Sequence, residues 1–244
     1  MPAEDLLKQQ FKKFQNVSIK IQDPKDNNCG LLLERLLGRS GEELNVPDFY
    51  DIEIKAIRNY YYDYFTLFTC HAGGDHIFHI EYISAVYGIP DKDYPDIKGI
   101  KGSIGVGYFK RIGKYLYKLH VDEQNEKIVL EIFDLRYNIM DSSTYWNFGD
   151  LKERLERKLN KMALFKVERY RPNDIYFKYT SYTLYHLKSF EKFIECIKKG
   201  YVYISINTGV RKSTYKTGTF VDHGTAFRID TKHIEDLFDV IETV

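Results

Sequence analysis

The stretch PDFYDIEIK, residues 47–55, places an acidic turn directly before a segment in which apolar and charged residues alternate. Successive side chains of an extended strand point to opposite faces, so Glu53 and Lys55 share one face while the isoleucines beside them face a core. Asp48 lies just upstream and can fold back toward Glu53. The pattern therefore predicts two carboxylates and a lysine gathered at the edge of a strand.

The chemistry that suits this group is metal-dependent hydrolysis. Two carboxylates a few ångströms apart are suitable ligands for Mg²⁺, which prefers oxygen. A lysine beside them can orient or deprotonate a water and stabilise developing negative charge. Asp48, Glu53 and Lys55 are therefore candidates for phosphodiester hydrolysis. A strand that ends in Glu-x-Lys is often only a solvated surface, and the motif alone leaves that alternative open.

Further motifs accompany this one along the chain. Glu34 lies in CGLLLERLLG, a helix-like segment ahead of the turn. After the strand come TLFT at residues 66–69, LEIFD at 130–134, YWNF at 145–148 and DHGTAFRI at 222–229. This order resembles that of the MvaI/BcnI restriction endonucleases, in the MutH-like branch of the PD-(D/E)XK nuclease superfamily.

The resemblance implies a fold and an activity. The expected fold is α/β, with a mixed central sheet flanked by helices and with a catalytic lobe and a DNA-recognition lobe. Within a single nuclease domain over residues 1–244, the approximate lobes are 1–159 for catalysis and 160–244 for DNA recognition. The implied activity is that of a type II restriction endonuclease: a Mg²⁺-dependent monomer that cuts double-stranded DNA at a short, C/G-rich, pseudo-palindromic site. A cognate DNA methyltransferase is its expected genetic partner.

The resemblance also implies roles for individual residues. By position, Asp48 and Glu53 are metal ligands, Lys55 is the catalytic lysine, and Glu34 is a helix-borne acid that supports the metal site. His223 and Arg228 match positions that contact bases in relatives. The full set of candidate DNA-binding residues is Lys110, Arg111, Asn207, Arg211, Lys212, Asp222, His223, Thr225 and Arg228.

Three departures from the family pattern concern recognition. Val221 stands where the family often has the first histidine of His-x-His, and Ser205-Ile206-Asn207 stands where close relatives carry Asp-x-Arg. Cys70, followed by His71, replaces a basic residue after TLFT. The catalytic assignment is untouched by these changes, whereas the expected target, a site of the CCNGG kind, depends on them.

The distribution of charge also favours a polyanionic partner. The net charge is only +1, but residues 97–121 contain six Lys or Arg and residues 196–221 contain five, with no acid in either stretch. Two acid-free basic stretches fit two arms that meet DNA. A pair of solvated hairpins remains the alternative.

The remaining features describe a soluble, cytoplasmic protein without a membrane partner. No segment approaches the roughly 18 apolar residues of a membrane span. The start MPAEDLLKQQFKKF predicts an amphipathic helix rather than a signal peptide. Three widely spaced cysteines suggest neither a disulfide framework nor a zinc site.

Several local elements are also predicted. Residues 114–121 and 127–134 read as a hairpin, residues 151–162 as a long helix, and residues 234–241 as a short closing helix. Residues 72–107, rich in Gly, Pro and Asp, read as irregular with short elements.

Two other patterns favour surface structure over chemistry. GIKGSIGVG, residues 99–107, lacks the Gly-Lys-Ser/Thr ending of a phosphate loop and predicts a flexible loop. His71, His76 and His79 have no cysteine or carboxylate pattern that completes a zinc site, so they indicate polar surface.

Two other functions remain open. A MutH-like repair nickase would need a mismatch-repair partner to be active. A non-catalytic DNA-binding protein would have kept the fold and lost the chemistry, although the intact Asp48, Glu53 and Lys55 argue against it.

Overall fold

The computed structural model describes residues 1–21, 28–38, 46–58, 64–74, 79–171, 174–212 and 216–244. The chain divides into two compact units built from alternating segments. Unit 1 comprises Met1–Phe65, Arg154–Phe190 and Asp230–Val244, and unit 2 comprises Thr66–Glu153 and Glu191–Ile229. These units differ in their bounds from the lobes 1–159 and 160–244 inferred from the sequence, and the assignment of a role to each lobe stays a prediction.

Six helices are present in the described chain. They are α1 (Ala3–Lys12), α2 (Cys29–Leu36), α3 (His79–Tyr87), α4 (Phe148–Leu159), α5 (Phe190–Lys198) and α6 (Ile234–Leu237). None of them is long and apolar enough to cross a membrane.

Strands make up most of the remaining regular structure. They are β1 (Ser18–Lys20), β2 (Ile52–Arg58), β3 (Tyr64–Thr69), β4 (Gly73–Gly74), β5 (Ile89–Pro90), β6 (Lys98–Gly99), β7 (Lys101–Ile104), β8 (Lys110–Ile112), β9 (Tyr115–Asp122), β10 (Lys127–Phe133), β11 (Ile139–Asn147), β12 (Lys161–Tyr170), β13 (Tyr176–Leu187), β14 (Val202–Val210), β15 (Phe220–Asp222), β16 (Ala226–Asp230) and β17 (Phe238–Thr243).

Unit 1 contains a mixed five-stranded sheet in the order β1-β13-β12-β2, with β17 also paired to β13. The strands β2 and β12 run parallel, with Ile52 opposite Lys161 and Glu53 opposite Met162. The other pairings in this sheet are antiparallel. The predicted mixed sheet with flanking helices is thus confirmed. The strand β2, which carries the acidic motif, is the last strand in this order.

The core of unit 1 forms where the helices meet this sheet. Leu7 and Phe11 lie one helical turn apart on α1, and both are fully buried. The ring of Phe11 packs edge-on against Phe165 of β12 and Tyr182 of β13, at 5.3 Å from each. Leu33 brings α2 into the same cluster. The apolar faces of α1 and α2 therefore pack on the sheet that carries the acidic motif.

Unit 2 contains two larger sheets. One is the meander β4-β11-β10-β9-β8, and the other has the order β15-β14-β16-β3 with β7 also paired to β14. Its core holds Trp146, whose indole N–H donates to the carbonyl of Cys70 at 3.2 Å. The ring of Phe227 stacks on Phe68 at 5.1 Å.

Most predicted local elements are present, with two differences. The hairpin is confirmed as β9 and β10, in register from Asp122 opposite Lys127. The long helix ends at Leu159, and Met162 lies in β12. The prediction of a closing helix over residues 234–241 is wrong beyond Leu237, because β17 begins at Phe238 and pairs with β13. That strand forms through a distant partner, and such pairing overrides a local apolar pattern.

Candidate active site and nucleic-acid interface

A tight turn precedes β2 and folds Asp48 back over it. The backbone groups of Phe49 and Ile52 exchange two hydrogen bonds of 2.9 Å, and Tyr50 between them has a φ of +55°. Beyond the turn, the backbone N–H of Ile54 donates to Oδ2 of Asp48 at 3.2 Å. The fold-back of Asp48 toward the strand, expected from the sequence, is therefore present.

Glu53 and Lys55 meet on one face of β2, as the alternation predicts. Nζ of Lys55 lies 2.5 Å from Oε1 of Glu53. The side chain of Glu53 is fully buried and that of Lys55 is 22% exposed. The alternative of a solvated strand surface does not hold, since a solvated face would leave the glutamate in water.

A second lysine, which the sequence did not single out, completes this group. Nζ of Lys158, in the last turn of α4, lies 3.3 Å from the same Oε1 of Glu53. Helix α4 leads into β12, and β12 runs parallel to β2. The end of that helix consequently lies beside the start of the acidic strand. A Lys in the last turn of a helix before a strand was the only local signal, and the parallel pairing that gives it meaning is not visible in sequence.

The electrostatics of Glu53 reflect its burial. Removal from water raises the pKa of its carboxyl above the usual range, and the ammonium of Lys55 opposes that rise. The nearby carboxylate of Asp48 raises the pKa further, and Lys158 lowers it. A cation placed between the two acids would relieve both the burial and the repulsion of like charges.

The residues present fit a magnesium ion. Oε2 of Glu53 is buried and has no hydrogen-bond partner among the described residues, so one carboxylate oxygen is available to a ligand. Across the described ranges, no group of three His, Cys, Asp or Glu side chains is placed to hold a metal. Mg²⁺ is commonly bound through only one or two carboxylates, with water and substrate phosphate completing its shell. Asp48 and Glu53 match that donor set.

Glu34 lies on the helix next to this strand. It is half-buried on α2, which packs against β2. A cleft of about 560 Å³ opens beside the turn and is lined by Asp48, Tyr50, Leu37 and Gln10, among others. The position of Glu34 is compatible with support of the acidic site, and its role stays a prediction.

In unit 2, the sheet around β14 presents a polar face. Ile204 and Ile206 are buried on one side of the strand, whereas the alternating residues Tyr203, Ser205 and Asn207 are half-buried or exposed. Residues directly opposite one another in a sheet lie on the same face. The register places Arg228 opposite Tyr203, Ser103 opposite Ser205, and Lys101 opposite Asn207. We call these six residues the β14 polar face.

Some of the predicted recognition residues lie on the β14 polar face, and others lie next to it or are buried. Arg228 and Asn207 belong to it, and the backbone N–H of His223 donates to the carbonyl of Asn207 at 3.1 Å. The carboxylate of Asp222 accepts from the N–H of Gly224 at 2.8 Å and shapes the turn before β16. Thr225 is buried, and in this conformation its hydroxyl does not reach the surface. Its role as a DNA contact stays a prediction.

The predicted basic arms are exposed but are not free of acids in space. Lys110 and Arg111 lie on β8, an outer strand of the meander, and Arg111 donates to the carbonyl of Gly113 at 3.3 Å. Arg211 follows β14 and is exposed. Lys212 forms ion pairs with Asp93 at 2.8 Å and Asp91 at 3.4 Å. Acids from another segment thus neutralise part of a stretch that has none of its own.

Two sequence patterns were interpreted as surface structure, namely residues 99–107 and the three histidines at positions 71, 76 and 79. Residues 99–107 include β7, which pairs with β14, so the flexible-loop interpretation is wrong for that part. His71 and His79 line a cavity of about 390 Å³ together with Glu81 and Asp222. His76 lies outside the described residues.

Comparison with known proteins agrees with this geometry. A solved complex of the restriction endonuclease MvaI with its cognate DNA substrate is 26% identical to this chain, with a TM-score of 0.89 and 98% of each chain covered. The structure of MvaI in the absence of DNA is 25% identical, with a TM-score of 0.63, and covers 100% of this chain and 98% of its own. No curated protein matches the chain. The sequence pattern of one family extends over residues 8–238, nearly the whole length. The chain therefore belongs to the MvaI/BcnI restriction endonuclease family.

Proposed function

We propose that this protein is a Mg²⁺-dependent type II restriction endonuclease that hydrolyses phosphodiester bonds of double-stranded DNA. The observation that carries the proposal is the environment of Glu53. It is a fully buried carboxylate with one oxygen held by lysine and the other without a hydrogen-bond partner among the described residues. A surface ion pair needs no such arrangement, whereas a carboxylate that binds a cation does.

The residues of the site divide the work of the reaction. Asp48 and Glu53 hold the ion, and the bond from the N–H of Ile54 fixes the carboxylate of Asp48. Bound Mg²⁺ supplies Lewis-acid stabilisation of the charge that develops on the scissile phosphate. Lys55 orients the attacking water and, as an ammonium, stabilises negative charge at the phosphate. Glu34 supports the site from α2.

The β14 polar face supplies base recognition in this proposal. Arginine can donate two bonds to O6 and N7 of guanine, which is the commonest specific contact in the major groove. Arg228 is the candidate for that contact, with Asn207 farther along the same face and His223 hydrogen-bonded to the backbone of Asn207. The proposed target is a short, C/G-rich, pseudo-palindromic site of the CCNGG kind. Lys110, Arg111, Arg211 and Lys212 contact phosphates and position the duplex without reading sequence.

The same proposal places the enzyme in its cellular setting. It acts as a monomer in the cytoplasm, where foreign DNA and the host chromosome are both accessible. A partner methyltransferase with the same target protects the host sites.

Incubation of the purified protein with phage DNA, with and without Mg²⁺, tests the function. Discrete double-strand fragments that require Mg²⁺ are expected, and sequencing of their ends identifies the target. Glu53→Gln is the matched control because it keeps the shape of the side chain and removes its charge. Single-strand nicks alone would favour a MutH-like nickase, and intact DNA in the presence of tight binding would favour a non-catalytic protein.

A further inference from the structure

Two lysines converge on one oxygen of Glu53. Lys55 approaches Oε1 from the same strand at 2.5 Å, and Lys158 approaches it from the end of α4 at 3.3 Å. One ammonium is enough to pair that oxygen. A second lysine on the same oxygen therefore calls for a role beyond pairing Oε1 in the resting site.

The reason lies in what Lys55 must do during the reaction. To act on the attacking water or on the scissile phosphate, its ammonium has to turn away from Oε1. If Lys55 were the sole partner of Oε1, this movement would leave that buried oxygen without a hydrogen-bond partner. A buried acceptor without a partner is costly, so Lys55 would be held on Glu53.

We propose that Lys158 is a positioning residue that releases Lys55 for catalysis. It keeps Oε1 of Glu53 paired when Lys55 turns to the substrate, and it leaves Oε2 for the metal. The inference rests on the proposed nuclease function and adds to it a residue that acts through Lys55.

The placement of Lys158 suits this role. Leu155 and Leu159, on either side of it along α4, are fully buried and fix the helix against the core. The side chain of Lys158 is 19% exposed, so its charge is shielded from water on most sides. A cation near the C-terminus of a helix is also stabilised by the helix dipole. The helix thus holds Lys158 in place beside Glu53.

The electrostatics give the proposal a distinctive signature. Removing Lys158 takes a positive charge away from the metal site, so the affinity for a divalent ion should not weaken. Lys55 should nevertheless stay on Glu53, and the rate at saturating Mg²⁺ should fall. Replacing residues that orient a metal site indirectly typically lowers activity by about 10–100-fold, and a loss of that size is expected for Lys158→Met.

Single-turnover cleavage over a range of Mg²⁺ concentrations measures the rate and the metal requirement separately. Calorimetric titration of the protein–DNA complex with Ca²⁺ measures ion binding without turnover. Lys158→Met should lower the rate at saturation while its Ca²⁺ affinity stays equal to that of the wild type or becomes tighter. Lys158→Arg keeps the charge and should recover part of the rate. Lys152→Met, an exposed lysine on the same helix, is the control and should cut at the wild-type rate.

A double-mutant cycle tests whether Lys158 acts through Lys55. In the Lys55→Ala background, Lys158→Met should cause no further loss, because there is no ammonium left to release. Equal losses in both backgrounds, or weaker Ca²⁺ binding with an unchanged saturating rate, would overturn the inference. If the wild-type protein fails to cut DNA, the proposed function is itself contradicted, and the inference loses its basis. Thermal unfolding of each variant identifies any loss that comes from folding.

Discussion

For single residues, Glu53 concentrates the chemistry of the site because its carboxyl is buried and, among the described residues, is paired through one oxygen only. We expect Asp48→Ala and Glu53→Ala to lower cleavage by at least about 100-fold, the size of effect seen when one stabilising group is removed from an active site. Lys55→Ala should lose most activity as well. Duplex binding, measured by fluorescence anisotropy without Mg²⁺, should persist in all three. Cleavage at the wild-type rate by any of them would remove that residue from the catalytic set.

Arg228 is expected to contribute to the specificity of DNA binding. It lies half-buried opposite Tyr203 on the β14 polar face, and the proposed function gives it a contact with a base. Loss of a two-bond contact to guanine should cost about 1–3 kcal/mol on the cognate site and little on scrambled DNA. Titrations of wild type and Arg228→Ala with both duplexes measure the difference. An equal loss on both would make Arg228 a phosphate contact or a structural residue.

At the scale of the element, Lys161 ties three segments of unit 1 together. Its ammonium, on the first residue of β12, lies 2.6 Å from Glu4 of α1 and 2.8 Å from Asp51 before β2. The hydrogen bond from Lys161 lowers the pKa of Glu4 below its ordinary 4.5. We expect Lys161→Met to lower the free energy of unfolding by up to about 1 kcal/mol at pH 7, since the pairs are partly exposed.

The pH dependence of that loss follows from the direction of the shift. A carboxyl with a lowered pKa in the folded state stabilises the protein above its unfolded pKa, and this contribution disappears as the pH falls through the folded value. The difference between wild type and Lys161→Met in urea unfolding should therefore shrink below about pH 4.5. Lys192→Met, which breaks an exposed pair within α5, is the control and should cost less. A difference that grows in acid would contradict the assignment to Glu4.

The elements also show how far the sequence predicts the structure. Local periodicity gave α1, α2 and the β9–β10 hairpin, because their apolar stripes and turn residues are close in sequence. The strands β12 and β13, and the strand character of residues 238–243, were missed because they depend on partners far along the chain. The contact of Lys158 with Glu53 was missed for the same reason, since it needs the parallel pairing of β2 with β12. The grouping of Asp48, Glu53 and Lys55 was predictable because eight residues contain all three, and their roles stay a prediction.

At the scale of the whole molecule, charge distribution matters more than the net charge of +1. Each phosphate contact releases about one counterion, so replacing Lys110, Arg111, Arg211 and Lys212 together should flatten the dependence of log K on log salt by roughly three to four units. Lys212 should contribute less than Arg211, because it must first leave Asp91 and Asp93, which then attract cations from solution. Binding isotherms between 50 and 200 mM salt, a range of about fourfold, are sufficient to measure these slopes.

The control for this prediction separates specific contacts from a general loss of positive charge. Replacing four exposed lysines of unit 1, namely Lys12, Lys13, Lys20 and Lys188, changes the net charge by the same amount. If the basic arms touch phosphate, the first set flattens the salt slope and the second leaves it nearly unchanged, because long-range steering by exposed charges is screened within about 10 Å. Equal changes from the two sets would mean that only the total charge matters. The basic stretches would then be the solvated hairpins that the sequence left as the alternative.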